Sequence, residues 1–268
     1  MLRKQTLFLL SLLILGFSSP VFSQKIISVS DYGIKPNTFE DATSMVRQAI
    51  KACESEMEVQ FSKPVPSDMV VGDCLENTTW TPSVTIRDCR FERTNTRGLL
   101  ITTRRKVLIE NNTFYRSGMH AILISSEASS WYESGPVQDV TIRNNSFEEG
   151  GYNQAPGNYV IAIAPENHEL VPGYMVHRNI RIENNIFKVY DYPILTARST
   201  ENLFFTGNKI IMTDFMAKGK KRPEFDLTSC SKVMIDNNIF LTPQLPEIKA
   251  THMVKGDVKS DMNTIFTK

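Results

Sequence analysis

Net charge is almost missing from this sequence: 30 Lys and Arg stand against 29 Asp and Glu over 268 residues, a balance of +1. With no global field to draw in nucleic acid or an anionic surface, a neutral or small ligand is favoured and nucleic acid is not an expected partner. A second long apolar run is missing too, so no membrane span is expected beyond the first residues. Cysteine is confined to Cys53, Cys74, Cys89 and Cys230, irregularly spaced and without a Cys-x-x-Cys, which argues against a metal site. The strand-like segments hold few acids apart from Glu224 and Asp226, so no pair of carboxylates announces itself.

The first residues carry a distinct signal. Arg3 and Lys4 precede an apolar run, Leu7 to Phe17, then Pro20 and Val21-Phe22-Ser23. The run is too short to cross a bilayer comfortably, and the flanks fit a secretory signal peptide over 1–23, cut after Ser23. No Cys stands at the cut, so lipoprotein processing is not indicated. Export permits disulfides, yet Cys89 and Cys230 read as buried free thiols in a stacked core.

What is present in abundance is a repeat. It reads Val107-Leu-Ile-Glu-Asn-Asn-Thr-Phe114, Val140-Thr-Ile-Arg-Asn-Asn-Ser-Phe147 and Ile180-Arg-Ile-Glu-Asn-Asn-Ile-Phe187, with looser copies at 84–91, 203–210 and 233–240. Each copy is followed about fourteen residues on by a partner strand such as Gly98-Leu-Leu-Ile-Thr102 or Ala121-Ile-Leu-Ile-Ser125. Apolar residues alternate in both, the period of a strand with one face inward. Repeats of variable spacing point to a solenoid, here an all-β parallel β-helix with rungs over 83–242. Its like positions stack about 4.8 Å apart. Asn112, Asn145, Asn185, Asn208 and Asn238 then form an amide ladder in a turn. Phe91, Phe114, Phe147, Phe187 and Phe240 form an inner aromatic column interrupted by Ile210. Both columns are scaffold.

Around the rungs, 24–56 combines a short strand pattern, a turn at Asp31-Tyr-Gly-Ile-Lys-Pro36 and helical periodicity over 45–53, so a cap with a short helix is expected. Residues 57–82 read as a linker or barrel remnant, and 243–268 as a polar, irregular tail.

Insertions in a solenoid gather on the ligand-binding face. In Glu127 to Gly135, Trp131 and Tyr132 offer flat faces to a sugar ring and Glu133 a carboxylate, which makes Glu133 the catalytic candidate. The alternative is that Trp131 packs under its own loop and Glu133 meets a backbone N–H. Glu166 and His168 fit acid or base roles or a solvated loop. Asp191, between Tyr190 and Tyr192, and Arg198 fit a sugar-hydroxyl clamp or an ion pair fixing the coil edge. Arg97, Arg104, Arg105 and His120 lie near ends of the same strand series and are candidates to line one groove. The basic run 216–222 reads as an exposed loop.

Several phrases in order carry a resemblance: Leu75-Glu-Asn, Thr79-Trp80-Thr-Pro82, Arg97-Gly-Leu-Leu-Ile-Thr102, Trp131-Tyr-Glu-Ser-Gly135, His177-Arg-Asn-Ile-Arg-Ile-Glu183 and Asp191-Tyr-Pro-Ile-Leu195. From about Asp73 to Phe240 the chain resembles glycoside hydrolase family 110, bacterial exo-α-1,3-galactosidases, and its first segment resembles the cap of pectate-lyase-like proteins. The resemblance implies a right-handed, pectin-lyase-like β-helix. It implies an inverting hydrolase without cofactor, acting on terminal α-1,3-linked galactose of a glycan, periplasmic or extracellular in a bacterium. Family members carry further rungs, an inserted barrel and an Asp-Asp-containing phrase between cap and Leu-Glu-Asn that have no counterpart here. Their acidic catalytic residues therefore have no matching positions, which leaves a non-catalytic carbohydrate-binding β-helix as the alternative. Pectin lyase or polygalacturonase activity fits the fold but neither the charge nor these phrases. If 1–23 is a leader, N-terminal sequencing of protein exported from a bacterial host gives Gln24 first; an intact Met1 on exported protein rejects the leader.

Overall fold

The structure is a computed structural model, and the residues it describes are Ser67, 81–127, 133, 135–153, 158–167 and 169–268. The expected leader and cap, and nearly all of 57–82, lie outside these, as do Trp131, Tyr132 and His168.

From Val84 onward the chain winds as a coil of three strands per turn. The first turn is β1 (Val84–Arg87), β2 (Arg90–Glu92) and β3 (Leu99–Ile101). The second is β4 (Val107–Glu110), β5 (Thr113–Tyr115) and β6 (Ile122–Ile124), the third β7 (Val140–Arg143), β8 (Ser146–Glu148) and β9 (Ile161–Ile163). The fourth is β10 (His177–Glu183), β11 (Ile186–Val189) and β12 (Leu195–Arg198), the fifth β13 (Thr200–Thr206), β14 (Lys209–Met212) and β15 (Phe225–Thr228). The sixth is β16 (Ser231–Asp236), β17 (Ile239–Leu241) and β18 (Glu247–Thr251), and β19 (Val258–Ser260) and β20 (Asn263–Thr267) begin a seventh. Each strand pairs in parallel with its equivalents in the turns before and after, giving sheets of seven, six and seven strands that we name the first, second and third sheet. This is a parallel β-helix, the right-handed crossover being the sense that nearly all parallel connections take.

The eight-residue repeat is therefore two short strands, not one. Its apolar-x-apolar half lies in the first sheet and its x-Phe half in the second, with the Asn-Asn pair bending the chain between them. The two positions divide the work. Asp88, Asn111, Asn144, Asn184 and Asn237 take positive φ near 55°, the left-handed conformation that Asn tolerates. Gly207 fills the same position, and a Cβ there would collide with the Asn184 side chain. The next residue points inward. Asn145 Oδ1 accepts from Asn112 N (2.9 Å) and Asn112 Nδ2 (3.0 Å). Asn145 Nδ2 in turn donates to Ile109 O and to Asn185 Oδ1, each at 3.0 Å. The ladder runs without a break from Cys89 N to Asn238. Cys89, expected to be buried, is exposed at its first step, whereas the Cys230 thiol is buried and its pKa is pushed up to about 12 by that burial.

The core fills by volume, row against row. Phe91, Phe114, Phe147 and Phe187 stack with ring centroids 4.9, 5.0 and 4.8 Å apart. At the fifth turn the smaller Ile210 replaces the ring, and Phe205 and Phe225 from the other two sheets close on the space, Phe205 lying 5.5 Å from Phe187 and 5.0 Å from Phe225. Each such fully buried ring is worth about 2 kcal/mol or more in transfer free energy.

Residues 243–268 depart from the expected irregular tail. β18 places Ile248 and Ala250 inward against Phe225 and Leu227, and β19 and β20 add strands to the first and third sheets. Two inward apolar residues per strand are too few to stand out against the Lys, Glu and Thr around them, which is why the pattern reads as polar. The seventh turn passes from Ser260 to Asn263 without a strand in the second sheet, and Met262 packs on the core there.

The two Asn positions make a sharp contrast in stability. Asn145→Ala strands the Asn112 N–H and the Ile109 carbonyl in a buried turn and is expected to cost about 3 kcal/mol. Asn144→Gly keeps the left-handed turn and is expected to cost less than about 1 kcal/mol. Urea unfolding of both variants checks this; equal losses contradict the division of roles.

Candidate functional site

Among the described residues, the turn between first and second sheets is two residues long in all six coils that have both strands, so insertions there are confined to the two corners that flank the third sheet. The longest lie at 149–160 and 213–224 on the entry side, and at 125–139 and 164–176 on the exit side. These two corners border the outer face of the third sheet. Its central outward column runs Leu100, Leu123, Ala162, Thr196, Asp226 and Lys249. Leu123 and Ala162 point outward yet are buried, whereas Leu100 at the start of the column is exposed.

On the entry edge, the residues just before the strands align: Arg97, His120, Tyr159 and Pro193. The register is fixed by Gly98 N to His120 O (3.2 Å), Ala121 N to Val160 O (2.8 Å) and Ile161 N to Ile194 O (3.0 Å). Gly98 is required here, since a Cβ would meet the Ala121 carbonyl at 2.6 Å. His120 Nδ1 lies 2.6 Å from Tyr159 O. Burial, with the nearby Arg97 charge, lowers the His120 pKa, and the bond to Tyr159 opposes the shift only in part. The Tyr159 hydroxyl reaches along the face to Asp226 Oδ2 (3.5 Å), which also takes Lys249 Nζ at 3.6 Å. Burial and the Asp226 carboxylate raise the Tyr159 pKa, so it stays a neutral hydroxyl.

Of the two acids at the start of β15, Glu224 just before the strand and Asp226 within it, only Asp226 is presented. Glu224 is buried, its Oε2 accepts the Glu247 N–H at 2.8 Å and its Oε1 takes Gln244 Nε2 at 3.4 Å, and burial raises its pKa. Asp191, one arm of the expected clamp, is likewise committed. Its Oδ1 accepts from Tyr192 N (2.9 Å) and Gly219 N (3.2 Å), and its Oδ2 pairs with Arg222 at 2.8 Å. It pins the 213–224 insertion to the fourth turn. Phe215 of that insertion is held edge-on by Tyr152 and Tyr190 and lies 4.1 Å under the Arg116 guanidinium.

Arg198 stands on the opposite edge. Its Nη2 donates to Asn167 O at 3.0 Å, while Arg198 Nε and Asn167 Oδ1 are buried without a hydrogen-bond partner. Glu166 N donates to Ser126 O (3.0 Å), joining the two exit-side insertions, and Glu133 N donates to Glu127 O (2.6 Å), closing the loop that carries the candidate acid. The sequence candidates thus fall on two sides of one face: Arg97, His120 and Asp191 at entry, Glu133 and Arg198 at exit. Trp131 and Tyr132 belong to the same exit insertion but lie outside the described residues. Tyr159 went unremarked in the sequence. Its position, immediately before a partner strand as Arg97 and His120 are, is the signal that marks it.

Comparison with known proteins agrees with this architecture. A family model described as a right-handed β-helix region matches residues 74–245. An α-1,3-galactosidase A of Bacteroides fragilis is 45% identical over 223 residues, 82% of this chain and 37% of the relative. An α-1,3-galactosidase B of Bacteroides thetaiotaomicron is 40% identical over 220 residues, 80% of this chain and 35% of the relative. An α-1,3-galactosidase B of Akkermansia muciniphila is 36% identical over 231 residues, 85% of this chain and 28% of the relative. The chain spans little more than a third of the length of these relatives at most.

If Asp191 is a pin, Asp191→Ala frees the 213–224 insertion while leaving the rungs folded. Limited trypsin digestion after Lys218, Lys220 and Lys221 is expected to speed up on the order of tenfold, with the rest of the chain resistant. Unchanged cleavage contradicts the assignment.

Proposed function

Because this chain belongs to the right-handed β-helix family, we propose that it is a galactosidase-like glycoside hydrolase whose third-sheet face takes terminal α-1,3-linked galactose of a glycan. One observation carries the reading: identity of 36–45% to α-1,3-galactosidases over 80–85% of the chain. In this reading Arg97, His120 and Arg198 hold sugar hydroxyls from the two edges, Trp131 and Tyr132 stack on the ring, and Glu133 and Asp226 are the carboxylates available to it. Asp191 acts only by fixing the 213–224 insertion. No cofactor is invoked. The leader at 1–23 puts the protein outside the bacterial cytoplasm.

A second reading, a carbohydrate-binding β-helix without turnover, is favoured by the state of the acids. Glycoside hydrolysis takes two carboxylates flanking the bond, about 5 to 9.5 Å apart. Glu224, the acid nearest Asp226 along the strand, is buried and hydrogen-bonded to its own coil neighbours. The two readings separate in one experiment with the full chain and an α-1,3-galactosyl disaccharide. Galactose release, reduced at least tenfold in Asp226→Asn and Glu133→Gln, is the result expected of the hydrolase. Binding by calorimetry without release selects the second reading. Neither binding nor release removes both.

A further inference from the structure

We propose that Arg97 and His120 form a donor–acceptor clamp for two neighbouring hydroxyls of one sugar, with His120 Nε2 as the acceptor. The proposal rests on the galactosidase-like reading for the identity of the sugar but not for the geometry.

The geometry begins at the Tyr159 carbonyl, which can only accept. His120 Nδ1, 2.6 Å away, must therefore carry the hydrogen. In the neutral ring that leaves Nε2 with a bare lone pair. The neutral ring is the favoured form, because burial and the adjacent Arg97 cation both oppose a second charge. The side chain is half-buried rather than enclosed, and Nε2 has no hydrogen bond among the described residues, which leaves it available to a ligand. The residue is held on two sides: its own carbonyl accepts Gly98 N–H from the first turn at 3.2 Å, and its ring donates into the third. Its rotamer and tautomer are thus set before any ligand arrives.

Arg97, one turn away in the same column, has only donors to offer. Side by side, the two present one acceptor and one donor fork. Two vicinal hydroxyls match this pair, one donating to Nε2 and the other accepting from the guanidinium. A carboxylate or sulfate oxygen has no hydrogen to give Nε2, so it is a hydroxyl group that the clamp takes at this position.

Two measurements on the full chain test this. Long-range nitrogen–proton NMR at pH 7 is expected to show His120 protonated at Nδ1 and bare at Nε2; an Nε2–H tautomer or a doubly protonated ring overturns the proposal. Calorimetry is then run with α-1,3-galactobiose and its singly deoxygenated forms. His120→Asn keeps a donor for the Tyr159 carbonyl but has no atom at Nε2, and it is expected to bind the parent disaccharide about tenfold more weakly, one hydrogen bond's worth. One deoxygenated form should bind wild type and His120→Asn equally, naming the hydroxyl. If every form loses the same factor in the variant, the clamp is wrong while galactose recognition stands. If wild type binds none of them although the tautomer is as stated, the galactosidase-like reading fails and takes the clamp with it.

Discussion

The amide ladder is the constraint on which the remainder of this structure depends. A parallel coil must turn a corner three times per rung, and each corner exposes backbone groups that the strands no longer pair. At the corner between first and second sheets the answer is an Asn in each of five successive rungs, buried in the first four and half-buried at Asn238, whose Oδ1 takes the N–H of the rung before and whose Nδ2 donates to a backbone carbonyl behind it. The solution works only if each turn has the same two residues, since one extra residue would move the amide off the 4.8 Å repeat. The ladder therefore forbids insertions at one corner and so displaces them to the other two. The insertions at the corners beside the third sheet are a consequence of that prohibition.

Packing inside the coil follows a similar rule of compensation. Stacked identical rings are the simplest filling, and the chain uses it for four rungs. Where Ile210 breaks the column, the lost volume is restored from the two neighbouring sheets, as close packing requires. This is why Phe205 and Phe225 sit in the same turn, each between aliphatic neighbours in its column: Ile182 and Ile235 flank Phe205, Leu195 and Ile248 flank Phe225.

The fold was legible in the sequence wherever a residue has a strong, repeated preference. Asn at a left-handed turn and Phe in a stack recur with enough fidelity to set register. The third strand per coil was not visible, because x-Phe-x is too short to show a period. Nor was the final turn, where Ile248 and Ala250 are the whole inward signal. The site was less legible, for a different physical reason. Which charged residues face a ligand and which fasten the coil depends on contacts far apart in sequence: Asp191 with Arg222, Glu224 with Glu247, Tyr159 with Asp226. Type and local spacing say nothing about such pairs.

The same fold supplies a criterion for telling the two kinds apart. In a stack whose polar groups are met by the coil above or below, an unmet group is either a local cost or a place for something else. Burial decides between these. His177 also has an unpartnered Nε2, its Nδ1 accepting the Val137 N–H at 3.0 Å, but its side chain is wholly enclosed and burial lowers its pKa to about 4. No solute can reach it, so it is a fixed neutral corner piece. His120 likewise has an Nε2 with no hydrogen bond among the described residues and a pKa lowered by burial, but its side chain is only half-buried, at a corner where the ladder leaves room for loops. The difference between a structural and a recognising histidine in this chain is thus one of access, set by which corner of the coil each occupies.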